Sequence, residues 1–289
     1  MFRVLVQERY KVKRKDDMKG YVNNFKKYKN LLWELVKKGI KLKYRRSYLG
    51  IIWTLLEPVL TTVVLTTVFT YLMPKDSDAF KVAFPVYILT GRLLYTFFAG
   101  ATKTALSSIR KNSGMIKKVY VPKYLYPLSG VLYNFVIFLI SLVVLFGAGI
   151  VFKVKPSLYL IEGIIPLFLL LLLSFGVGMI LSTVAVFFRD VEYLWGVLLM
   201  LIMYASAIMY SANDIISKAI ERGNHFVIWL FRCNPLYGII TMFRDCVLFG
   251  KGIDFTSPYF IMSASVSVLS VIVGLFVFYK KQDDFILHI

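Results

Sequence analysis

The chain has 289 residues, 58% hydrophobic and 16% aromatic, with a mean hydropathy of +0.69 and a formal charge of +19. Soluble domains lie nearer about 45–50% apolar, and a water-soluble fold of this size lacks the interior to hide so much apolar surface. Two histidines and two cysteines argue against a His/Cys metal cluster or a disulfide scaffold.

Sixteen of the 35 Lys and Arg precede Leu49. This basicity reads as a membrane-face signal, and no nucleic-acid partner is expected. The first 48 residues hold no apolar run of signal-peptide type, so the first span is expected to serve as an uncleaved insertion signal. Residues 1–27 read as a basic extension. From 28 to 48 the apolar residues Leu31, Leu32, Leu35, Val36, Ile40 and Leu42 recur at helix spacing, with Lys37, Lys38, Lys41 and Arg45 on the other side. That pattern predicts an amphipathic helix in the membrane interface.

A bilayer core of about 30 Å needs roughly 20 apolar residues per helix. Six segments qualify, at about 49–73, 82–102, 124–152, 156–188, 193–213 and 255–279. The predicted fold is therefore an all-α integral membrane protein with a six-helix domain over 49–280. Between the second and third spans, Ala105–Val119 is a second amphipathic piece, with Asn112-Ser113-Gly114 as its break. The stretch 226–250 has no uncharged run longer than Cys233–Phe243, and this contains Asn234-Pro235; it reads as short re-entrant helices. Placing the N-terminus in the cytoplasm puts 25 of the 35 cations inside, and six spans return the tail 281–289 to the same side.

Catalytic motifs do not stand out. There is no P-loop, so ATP is not cradled by this chain. His225 and His288 are isolated. Cys233 and Cys246 share a loop, where a disulfide is an open alternative. Ionisable residues within spans are functional candidates. Glu57, before Pro58, either acts there or caps the start of the first span. Arg92 either meets an anionic substrate group, snorkels outward or pairs with a neighbouring helix. Along the second and fifth spans, Tyr87, Tyr95, Phe97, Phe98, Tyr193, Trp195, Tyr204 and Tyr210 are either belt and packing residues or flat faces lining a sugar channel.

The run Tyr44-Arg45-Arg46-Ser47-Tyr48-Leu49-Gly50-Ile51-Ile52-Trp53, followed by Glu57-Pro58, resembles the permease subunits of ABC polysaccharide exporters at the turn from interface helix to first span. Ile116-Lys117-Lys118-Val119-Tyr120-Val121-Pro122, Phe187-Phe188-Arg189-Asp190-Val191 and Asn234-Pro235-Leu236 with Phe243-Arg244 resemble later segments of that family in the same order. The resemblance covers roughly residues 28 to 280. The chain departs from it in its longer basic extension and in Arg92, where the family more often keeps the span uncharged.

This resemblance implies a transport permease rather than an enzyme. Its substrate would be a lipid-linked O-antigen, teichoic acid, rhamnan or capsule polysaccharide. It also implies a second copy of the chain and two copies of a separate ATPase, which binds the ATP and Mg. Ile109, Arg110, Ile116, Lys117 and Lys118 would couple the permease to that ATPase, with the segment 105–118 as the coupling helix. Tyr44, Arg45, Arg46, Ser47, Gly50, Trp53 and Glu57 would form the interface-helix junction, where membrane lipids meet the basic helix. Arg92, Tyr95, Phe98, Tyr193, Trp195 and Tyr204 are channel-lining candidates. Asn234, Pro235, Phe243 and Arg244 would shape the exit. The rivals are a same-fold exporter of a drug or small lipid and, more remotely, a glycan-modifying membrane enzyme or a passive channel. The acidic pairs Asp76/Asp78 and Asp283/Asp284 are thin support for the enzyme.

Overall fold

The computed structural model describes residues 18–45, 47–72, 83–118, 121–155 and 157–288. The extension as far as residue 17, Arg46, Val119-Tyr120 and the Asp76/Asp78 pair lie outside the described residues. Within them all regular structure is helical. In chain order the elements are α1 Met18–Tyr44, α2 Trp53–Leu72, α3 Phe84–Lys111, α4 Ser113–Ile116, α5 Leu125–Val151 and α6 Ile164–Phe187. They continue with α7 Val191–Ala205, α8 Ala212–Glu221, α9 His225–Arg232, α10 Pro235–Val247, α11 Pro258–Lys281 and α12 Phe285–His288. Short 3-10 turns at Gly50–Ile52 and Leu158–Leu160 precede α2 and α6.

The amphipathic helix α1 begins ten residues before its predicted start, because 18–27 carry no proline to stop it. It buries Leu32, Leu35 and Val36, one stripe at helix spacing. Gly39 lets the Tyr133 ring of α5 lie against it; a Cβ there would stand 2.8 Å from that ring. The turn into α2 is built by Ser47, whose Oγ accepts from the Gly50 N–H at 3.2 Å, and by Gly50 itself at φ +52°. Pro58 lies inside α2 and has no N–H for the Thr54 carbonyl; Ser141 Oγ of α5 donates to that carbonyl at 3.2 Å instead.

The long helix α3 is central and packs on α5 and α6. It continues unbroken from the predicted second span to Lys111, so 105–111 are its last turns and not a separate helix. The expected break falls at Asn112. On the far side α6 and α11 meet through small residues. A Cβ on Gly176 would stand 2.4 Å from the Ser270 carbonyl carbon and the Val271 nitrogen, and one on Gly274 would stand 2.6 Å from the Gly176 carbonyl oxygen. Apolar burial alone holds helices together poorly in lipid, so close backbone approach through glycine and serine carries this contact. Gly176→Ala is expected to destabilise the detergent-solubilised protein by about 1–3 kcal/mol through overpacking. An unchanged thermal midpoint would show that the two backbones are not in contact.

Among the described residues four stretches have the length and apolarity to cross a bilayer: Gly50–Tyr71, Leu125–Val151, Leu158–Phe187 and Pro258–Lys281. The pair α9–α10, bent by 69°, makes a fifth if taken as one span. The predicted fifth span, 193–213, does not form as one helix. Its helix α7 has 15 residues, about 22 Å of rise against a core of about 30 Å.

Candidate functional site and the core at the opposite end of the bundle

The end of α7 exposes carbonyls that no continuing helix satisfies. In an apolar surround such groups need protein donors. The chain supplies them from side chains. Asn234 Nδ2 donates to the Ala205 carbonyl and to Ser206 Oγ, both at 3.1 Å. Arg244 Nη1 donates to the Ala207 carbonyl at 3.0 Å and Nη2 to that of Ile208 at 2.9 Å. Tyr87 OH donates to the Tyr210 carbonyl at 3.3 Å, and Tyr210 OH turns back to that of Tyr204. Five carbonyls between 204 and 210 are thus met by four side chains. Ala207 sits at φ +48°, a conformation that costs an alanine roughly 1–2 kcal/mol and is fixed here by the bonds on either side.

Arg244 is the hub. It is 3% exposed, and it also donates from Nη2 to the Tyr87 carbonyl at 3.0 Å and from Nε to Thr90 Oγ1 at 3.3 Å. Its guanidinium lies 3.6 Å from the Tyr87 ring centroid. Three elements, α3, the α7–α8 break and α10, therefore meet on one side chain. Gly91 makes room: a Cβ there would stand 2.5 Å from Nη2. Asn234 also caps α10, its Oδ1 accepting from the N–H groups of Leu236 at 3.0 Å and Tyr237 at 3.3 Å, with Pro235 at the first helical position. Phe243 is buried in the main core.

The opposite end of the bundle has its own core. Leu32 and Leu35 of α1, Ile109 of α3, Ile116 of α4, Leu125 and Tyr126 of α5, Met179 and Val186 of α6, Phe278 of α11 and Phe285 of α12 form one buried cluster. The tail folds back into it: Phe285 packs edge-on against Phe187 and Phe278, and Lys123 Nζ donates to the Gln282 carbonyl. Burial holds the Lys123 ammonium below the usual lysine range, against the opposing pull of Asp283 and Asp284.

The remaining predicted residues fall into two groups. Ile109 and Ile116 were expected to face the ATPase. They are buried in this chain's own cluster, so they seat the 113–118 segment on the bundle and leave Lys117 and Lys118 as its exposed cations. Arg110 pairs with Glu192 at the start of α7. Phe98 and Trp195 are candidates either for packing or for lining a channel. They are buried edge-to-face between α3 and α7, with Trp195 Nε1 donating to Thr102 Oγ1 at 3.1 Å. Tyr95 OH donates to the Leu199 carbonyl at 2.9 Å, pinning the same two helices. Tyr193 and Tyr204 stay exposed, at 78% and 56%. Tyr44 OH and Thr54 Oγ1 are 2.6 Å apart, while Arg45, Trp53 and the Glu57 side chain are exposed. Cys233 and Cys246 are both free thiols. Sequence reasoning does not reveal the α7–α8 break, whose donors come from Asn234 and Arg244 downstream, from Tyr87 far upstream in α3 and from Tyr210 within the break.

The family described as ABC-2 type transporter matches residues 30–248. The chain belongs to the ABC-2 transporter membrane family. Among the relatives of this ABC-2 chain, an O-antigen export system permease protein RfbA of Klebsiella pneumoniae is 29% identical over 258 residues, covering 89% of this chain and 93% of the relative. The RfbA protein of Myxococcus xanthus is 25% identical over 91% of this chain and 97% of its own length. The polysialic acid transport protein KpsM of Escherichia coli is 23% identical over 84% and 90%. Both the carbonyl-capping site and the 113–118 segment lie within the matched ABC-2 region, whereas α11 and α12 lie beyond it.

In this ABC-2 permease the Arg110–Glu192 pair links the last turn of α3 to the first turn of α7. A part-exposed pair contributes little to stability, about 0–1 kcal/mol. Glu192→Arg is therefore expected to leave the thermal midpoint nearly unchanged while lowering transport several-fold, and Arg110→Glu combined with it is expected to restore transport. Equal loss in the single and double variants would remove the pair from any transmitting role.

Proposed function

We propose that the chain is the membrane subunit of an ATP-driven exporter for a lipid-linked cell-surface polysaccharide of the O-antigen or capsule class. The observation that carries this reading is the match to O-antigen export permeases along nearly the whole of both chains. Two copies of the chain pair with two copies of a separate ATPase, which holds ATP and Mg. Six passes are counted by taking α2, α3, α5, α6, α7 together with the capped break that follows it, and α11 as spans, with α8 to α10 as the exit-side insertion. Both termini are cytoplasmic, in keeping with the cation distribution. The basic helix α1 lies in the inner leaflet interface.

In this mechanism ATP-driven closure of the ATPase pushes on the 113–118 segment through Lys117, Lys118 and their exposed neighbours. Ile116 and Ile109 pass the displacement into the cytoplasmic cluster, and α3 carries it along its 28 residues to Arg244. The gate at the α7–α8 break then shifts among its hydrogen-bond partners. The polymer threads between two copies of the chain, along the exposed Tyr193 and Tyr204 faces of α7. A mild-detergent pull-down of the tagged chain from its native membrane, with mass spectrometry of protein and lipid, tests the assembly. The expected result is an equimolar ATPase with a polyprenyl-linked glycan. A chain that emerges alone, without ATP-dependent activity, would refute the exporter.

A further inference from the structure

A cavity of about 110 Å³ opens among α2, α3 and α5, next to the last turn of α1. Its lining includes Lys43, Glu57, Thr61, Arg92 and Thr96. Lys43 belongs to the interface helix. Thr61 lies eight residues into α2, about 12 Å along its axis. The cavity thus extends from the level of the interface helix into the depth of the first span. The outward face of α2, at Leu60, Val63, Val64 and Val68, is exposed, so the cavity is bounded by a helix that is bare on its lipid side.

Arg92 is the unusual member. A guanidinium inside a span is costly unless an opposite charge or a full set of acceptors meets it. Among the described residues it donates from Nε to a single hydroxyl, Thr61 Oγ1, at 3.2 Å, and no carboxylate stands within ion-pair distance. Arg244, which is buried, shows the contrast, with three carbonyls, a hydroxyl and a ring around it. The lining also carries two cations against one carboxylate, and the Glu57 side chain is exposed and paired with neither. The cavity therefore has an unmet positive charge at its inner end and a second cation nearer the membrane surface. A guanidinium offers parallel donors that match a phosphate's oxygens.

We propose that this cavity docks the phosphate-ester head group of a membrane lipid, with Arg92 as its inner anchor and Lys43 at the mouth. The head group supplies the counter-charge that the described residues do not bring to Arg92, and the lipid tail lies along the bare face of α2. The site rests on the export reading only in naming a polyprenyl pyrophosphate as the natural source; an anionic phospholipid is the other source of the same chemistry.

The test uses the purified permease–ATPase complex, incubated separately with a polyprenyl pyrophosphate and with phosphatidylglycerol, and native mass spectrometry of retained lipid. The parent complex is expected to retain lipid phosphate, and Arg92→Gln to retain about tenfold less. Arg92→Lys should fall between them. Lys43→Gln, an exposed change that leaves the fold intact, should lower retention by a smaller factor. Preference for the polyprenyl pyrophosphate joins the site to export. Arginine-dependent retention of phosphatidylglycerol alone supports the site while counting against the export reading. Retention of both lipids unchanged in Arg92→Gln and in Lys43→Gln overturns the proposal, and so does a parent complex that retains neither lipid.

Discussion

Replacing Arg244 by methionine is expected to abolish export and to destabilise the extracted protein by about 3–5 kcal/mol, because several buried acceptors lose their donor at once. The carbonyls of Tyr87, Ala207 and Ile208 and the Thr90 hydroxyl would all lose a charged donor. Each buried group left unpaired costs about 1–3 kcal/mol before relaxation. Methionine has nearly the length of arginine, so the loss would report hydrogen bonding rather than volume. Arg244→Lys should rescue little, because one ammonium cannot reach acceptors spread over α3 and the α7–α8 break. Gly91→Ala gives an independent route to the same defect. Its methyl would stand 2.5 Å from Nη2 and 3.3 Å from the Ile208 Cα, displacing the guanidinium without removing it. Thermal midpoints in detergent and export in cells should fall together in all three variants. Full export by Arg244→Met would mean that the break is held by other contacts.

The second large effect is expected at Ile116. Ile116→Asp places a carboxylate in the cluster that α1, α3, α4, α5, α6, α11 and α12 share. The 113–116 turn would then lift from the bundle. Export should fall at least about tenfold while ATP hydrolysis by the assembled complex continues. The paired change Lys117→Glu with Lys118→Glu should act differently. Both residues are exposed, so reversing them should weaken retention of the ATPase and leave the permease as stable as before. Measuring hydrolysis, retention and export side by side separates transmission from docking. Coupled hydrolysis and export in Ile116→Asp would show that force reaches the bundle by another path.

What was legible in the sequence follows from where the signal resides. The long uncharged runs became α5, α6 and α11, since a run of that length has few other stable forms in lipid. The α1 stripe and the break at Asn112 were legible because periodicity and Asn-Ser-Gly are local signals. The end of α7 was not. Ala205-Ser206-Ala207 contains no proline or glycine, and the donors that satisfy its carbonyls come from Asn234, Arg244 and Tyr87, distant in the chain. The Asn-Pro and Phe-Arg pairs single out Asn234 and Arg244 but give no hint of the carbonyls that these residues meet. Likewise Ile116 and Trp195 were visible as candidates, yet which side they face is decided by packing between helices, which spacing alone does not fix. The docking of Phe285 against Phe187 and Phe278 had no sequence signal beyond an apolar residue in a charged tail.

The central claim is ATP-driven movement of a lipid-linked glycan by this chain and its ATPase. It is tested most directly in sealed proteoliposomes carrying the complex and the lipid-linked glycan, with a glycan-specific lectin or enzyme added to the compartment opposite the ATPase. The account predicts glycan accessibility that rises with ATP and Mg, is absent without ATP, and is lost in Arg244→Met. Accessibility that is independent of ATP, or absent for the glycan while another solute moves with ATP, would contradict it.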